Sequence, residues 1–85
     1  MQAGPAPVRN SAIAAARQEL ALTPQEVWLG YVSVGGDRTL AVMRTWLTGG
    51  AEIPDRDYDF IAQALNDRFT ERGLNHPVAY SEKAV

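Results

Sequence analysis

Apolar side chains along this sequence recur three or four positions apart in four successive runs, and alternation at strand period is missing almost everywhere. That spacing belongs to helices that turn one face to a core and the other to water. The best bounded run is Leu22-Thr23-Pro24-Gln25-Glu26-Val27-Trp28-Leu29-Gly30-Tyr31-Val32-Ser33-Val34-Gly35-Gly36. Thr23 is placed to cap the first free backbone N–H groups. Pro24 suits the first helical position, where its missing N–H would be unpaired anyway, and Glu26 completes a capping box by reaching back to Thr23. Leu22 and Val27 stand at the spacing of a hydrophobic staple, and Gly35 supplies the left-handed residue that ends the helix. At about 100° per residue, Val27, Trp28, Tyr31, Val32 and Val34 share one broad face that must be buried, and Leu29 falls outside it.

The other runs are read in the same way. A first helix over residues 11–21, capped by Asn10 or Ser11, carries a thin stripe of Ile13, Ala16 and Leu20. It is expected to pack on the domain, with exchange between subunits or docking elsewhere as alternatives. A third helix over residues 38–48 follows the break Gly35-Gly36-Asp37 with Asp37 as its cap, and groups Leu40, Met43 and Leu47 with Trp46 at the margin. Gly49-Gly50 ends it. A fourth, over residues 55–72 and closed by Gly73, aligns Tyr58, Ile61, Ala62, Leu65 and Phe69, with Phe60 and Ala64 off the stripe and Phe60 left for the first helix or a partner to cover. The pattern predicts an all-α fold: a compact bundle of four short helices, a three-helix core plus a looser N-terminal helix. Residues 1–9 are expected to form a flexible arm, 10–74 the single helical domain, and 75–85 an extended or disordered tail.

Composition narrows the picture. With 85 residues the chain buries roughly 60% of its unfolded surface, which makes one modest core and no second domain. There is no cysteine, so packing, caps and a possible partner subunit must supply the stability. No segment approaches the roughly 18 apolar residues of a membrane span, and the first residues lack a secretory leader, so a cytoplasmic place without a membrane partner is expected. Abundant Ala, Gly and Arg suggest a GC-rich bacterial or phage gene.

Candidate chemistry is sparse. Asp55-Arg56-Asp57-Tyr58-Asp59 opens like a calcium loop, but its sixth position is Phe60 where glycine is required and its twelfth is Asn66 where a bidentate glutamate belongs. The acids are better read as stabilising the positive end of the fourth helix. His76, the single histidine, lies in the tail, where nothing holds it within reach of a substrate proton. Ser11, Ser33 and Ser81 lack a nucleophile elbow, and the paired glycines follow helices instead of preceding them as a phosphate cradle would. No catalytic residue, metal site, cofactor or small-molecule substrate is therefore expected.

Two non-enzymatic readings remain. The first is a small protein-binding or regulatory adaptor, with self-association into a homodimer as the cheapest form of contact, whose contact residues are the large side chains that helical geometry leaves off the stripes: Leu29, Trp46 and Phe60. If two of them prove exposed and adjacent, they mark a contact patch. The alternative is a helix-turn-helix DNA-binding regulator, in which Arg38, Thr39, Ala41, Arg44, Thr45 and Thr48 on the third helix face the major groove. Charge weighs against it: the face carries two arginines with Asp37 at its tip, and the chain as a whole is −2.

Overall fold

The computed structural model describes residues 8–74 and 78–79. It contains four helices, α1 (Val8–Leu20), α2 (Pro24–Ser33), α3 (Leu40–Leu47) and α4 (Asp55–Glu71), and no strand among the described residues. All-α architecture and a four-helix bundle follow. The predicted arm falls mostly on residues 1–7, and His76, Tyr80 and Ser81 of the predicted tail also lie outside the described residues.

Helix α2 forms for the reasons its sequence states. The Thr23 hydroxyl accepts from the Glu26 N–H at 3.1 Å, and the Glu26 carboxylate accepts from the Thr23 N–H at 2.8 Å. That backbone donor holds the Glu26 carboxyl below its ordinary range. Val27 and Tyr31 are sealed in the core, while Trp28 is half-buried and Val32, expected inside, is 40% exposed. Ten residues make under three turns, and the apolar arc is wider than the neighbouring helices can cover.

All four helices stop in the same way. The N–H two residues past the helix cap reaches back to the carbonyl that opens the last turn: Leu22 to Arg17, Gly36 to Tyr31, Gly50 to Thr45 and Leu74 to Phe69. The left-handed position in these motifs is held by Gly35, Gly49 and Gly73, but in α1 by Ala21 at φ 57°.

Helix α1 starts at Val8, two residues before its expected cap, so Asn10 lies within the helix and faces inward. Its Nδ2 donates to the carbonyls of Trp46 at 2.9 Å and Ala51 at 2.8 Å, tying α1 to the end of α3. The stripe is as thin as the sequence suggests, yet Ile13, Ala16 and Leu20 are all buried. The end of α1 is met by cations: Arg72 donates to its last carbonyl, Leu20 O, at 2.8 Å, and Arg17 to Leu22 O in the turn that follows at 2.9 Å.

Helix α3 is shorter than predicted. Thr39, not Asp37, is its cap, accepting from the Val42 N–H at 3.2 Å. Arg38 cannot join the helix because its backbone is used elsewhere: its N–H donates to Tyr31 Oη and its carbonyl accepts from Trp28 Nε1. Met43, Trp46 and Leu47 are buried. In α4 the predicted stripe of Tyr58, Ile61, Ala62, Leu65 and Phe69 is buried throughout, joined by Ala64 and by Asp57. Beyond the helices, Val78 is buried against the bundle, its N–H and C=O both bonded to the Asn66 amide, while Ala79 O accepts from Tyr58 Oη.

Candidate functional site

A buried polar arrangement centres on Tyr31. Its hydroxyl donates to Asp57 Oδ1 at 2.7 Å and accepts from the Arg38 N–H at 3.1 Å, so one phenol joins α2, the α2–α3 connection and α4. Burial pushes the Tyr31 phenol above its ordinary 10.0, and the bond to Asp57 raises it further. Trp46 meets the Tyr31 ring edge-on at 6.0 Å and 82°, and Phe60 does so at 6.3 Å and 66°. Gly36 completes the enclosure, because a Cβ there would lie 2.3–2.5 Å from the tyrosine ring. Asp57 is only 4% exposed, so the pair is a buried joint between α2 and α4.

The acidic run 55–59 thus contributes a structural acid that the sequence reading did not single out. Asp57 stands four residues before Ile61 and eight before Leu65, on the line of the buried stripe. A carboxylate in that register needs a donor, and Tyr31, on the buried face of the most strongly bounded helix, supplies it. Among the described residues no group of His, Cys, Asp or Glu is arranged to hold a metal ion. No described helix is long and apolar enough to cross a membrane.

The three residues proposed as contacts have separate fates. Trp46 is 4% exposed and belongs to the core, because the interior beside Tyr31 takes the margin of α3 as well as its centre. Phe60 is half-buried: it lies beneath Gly35, where a Cβ would come within 3.1 Å of its ring, and the Arg56 guanidinium stands 5.1 Å over its centroid. Arg56 also meets Asp37 at 3.5 Å in an exposed ion pair. Leu29 alone is open, at 52% exposure, so these three residues do not form one patch.

What Leu29 borders is a shallow groove of about 260 Å³ between α2 and α4. Its floor is Gly30 and Ala64, so small that a Cβ on Gly30 would lie 3.1 Å from Ala64 Cβ. Ser33 and Val34 extend the α2 wall, and Asp67, Arg68 and Glu71 form the α4 rim.

The residues of the DNA reading are all exposed: Arg38, Thr39, Arg44, Thr45 and Thr48, with Ala41 beside them. The connection is longer than a three-residue turn, running over residues 34–39. The Thr39 hydroxyl caps α3, and those of Thr45 and Thr48 donate to the carbonyls of Ala41 and Thr45. Comparison with protein-family models, with curated proteins and with solved structures finds no match to this chain.

Proposed function

We propose that this chain is a small, non-catalytic interaction module, a regulatory adaptor that meets protein partners, foremost a second copy of itself, through the α2–α4 groove. The observation that carries this reading is Leu29, a large aliphatic side chain more than half exposed beside a seam floored by glycine and alanine. It is a knob next to a hole. Across a two-fold axis each copy's Leu29 sits over the other's Gly30 and Ala64, the self-complementary arrangement that closed dimers use. The rim carries both signs, with Arg68 between Asp67 and Glu71, so a register that sets each copy's Arg68 against the other's Glu71 pairs opposite charges across the axis.

A non-catalytic role is supported by where the polar groups are engaged. The buried acid, Asp57, is bonded to Tyr31, and the groove offers aliphatic walls with an exposed charged rim. Amide chemical shifts followed through a dilution series test the face: those of Leu29, Gly30 and Ala64 are expected to move with concentration in the wild type and to stay fixed in Leu29→Asp. Concentration-dependent shifts confined to other residues would refute the assignment.

DNA binding is the second reading, favoured by the exposure of Arg38, Arg44, Thr45 and Thr48 together on and beside α3. It calls for several phosphate contacts, and this face offers two arginines. A mobility-shift assay at low salt with mixed-sequence duplex is expected to show no complex; a salt-sensitive complex lost in Arg38→Ala/Arg44→Ala would promote this reading over the adaptor.

A further inference from the structure

A second surface, sharing no residue with the α2–α4 groove, already holds something that looks like a ligand. Val78 and Ala79 lie along α4 without belonging to any helix or strand. The Asn66 side-chain amide donates through Nδ2 to the Val78 carbonyl at 3.1 Å and accepts through Oδ1 from the Val78 N–H. One amide therefore satisfies both backbone groups of a single residue, the exchange that a hydrogen-bonded residue pair of neighbouring antiparallel strands makes. Tyr58 Oη adds a third bond, donating to the Ala79 carbonyl at 2.6 Å. The Val78 side chain, 8% exposed, is seated beside Ala12, Ala15, Ala16 and Phe69, and a groove of about 280 Å³ remains open there with Glu19 at its edge.

At the described residues, Val78 and Ala79, these contacts read a backbone and one small branched side chain. We propose that the α1–α4 groove is a site for an extended peptide segment, one that presents a β-branched aliphatic residue with a free N–H and C=O to Asn66 and the following carbonyl to Tyr58. Val78 and Ala79 are its occupant in cis, and a segment of the same pattern from another protein displaces them. Because strand-like recognition draws affinity from main-chain bonds and specificity from alternate side-chain pockets, the partner is defined by that pattern and not by a charge signature. The tethered copy competes strongly: a segment joined by a short stretch of chain acts at an effective concentration in about the millimolar range, so the free site is masked until the partner is abundant or the cis segment is weakened.

The test uses the full chain and a fluorescent peptide of sequence Asn-His-Pro-Val-Ala-Tyr. Val78→Asp expels the cis occupant, since a carboxylate cannot be seated among alanines and a phenylalanine. This variant is expected to bind the peptide at least about tenfold more tightly than the wild type, and adding Asn66→Ala is expected to remove most of that gain. A Val78→Asp chain with an unchanged helical spectrum and cooperative melt that fails to bind, or that binds equally with and without Asn66, overturns the proposal. Should Val78→Asp not fold, the wild type answers the question: millimolar peptide is expected to shift the amide signals of Val78, Ala79 and the Asn66 side chain, and their staying fixed overturns it. Both readouts are separate from self-association at Leu29, which the same peptide leaves unchanged.

Discussion

At the scale of single residues, the hydroxyl of Tyr31 is the most consequential group in the chain. It is the donor that keeps the buried Asp57 carboxylate from facing an apolar interior alone, and it accepts the N–H of the residue that would otherwise begin α3 early. Tyr31→Phe keeps the ring and its edge contacts but leaves that carboxylate without its phenol, which is expected to cost about 1–3 kcal/mol. Chemical denaturation checks it as a lower midpoint with an unchanged slope. The same residue sets an alkaline limit. Its phenol gives up a proton less readily in the folded chain than at the ordinary 10.0, so the unfolded chain ionises first. Stability from this group is intact below about pH 10 and falls as pH rises from there towards the folded-state value. Between about pH 9 and about pH 11 the wild type is therefore expected to lose more stability than Tyr31→Phe; equal losses would show that the phenol does not titrate differently in the fold. Tyr31 and its burial were legible in the sequence, because caps and staple fixed its helix. Its partner was not read there, since three alternating acids at a helix start have an adequate explanation in the helix dipole, and only the register of Asp57 with Ile61 and Leu65 marks it as inward.

At the scale of elements, stops were more legible than starts. Gly35, Gly49 and Gly73 announce the left-handed residues that close three helices, whereas α1 closes on Ala21, where nothing in the residue type signals it. A non-glycine residue in that conformation carries a steric cost, so Ala21→Gly is expected to raise the thermal midpoint, with a gain of up to about 1 kcal/mol once the added freedom of the unfolded glycine is subtracted. A fall in stability would mean that Ala21 packs more than its exposure suggests. The opposite outcome is expected at Gly36, whose missing side chain makes room for the Tyr31 ring: Gly36→Ala should destabilise by about 1–3 kcal/mol or more, measured by the same melt. The start of α3 was misplaced because Asp37 and Thr39 are both good caps. The choice between them rests on Trp28 and Tyr31 occupying the Arg38 backbone, contacts seven and ten residues apart that no local pattern contains.

At the scale of the whole molecule, the bundle resolves a conflict between small size and many large side chains. Trp46 and Phe60, off the stripes by helical geometry, are drawn around Tyr31 because short helices packed together enclose margins as well as centres. That consequence of packing could not be read from one helix at a time. Leu29 has no such host, since the side of α2 it occupies faces the seam between Gly30 and Ala64, too shallow to cover it. Self-association is proposed on this one exposed aliphatic residue beside the groove floored by Gly30 and Ala64. Sedimentation equilibrium tests it most directly. The weight-average mass of the wild type is expected to climb above 9.3 kDa as concentration rises, while Leu29→Asp, with an unchanged melt, remains at 9.3 kDa. A wild type that stays at 9.3 kDa up to millimolar concentration, or a Leu29→Asp variant that associates as the wild type does, would contradict the claim that this chain meets its own copy through the α2–α4 face.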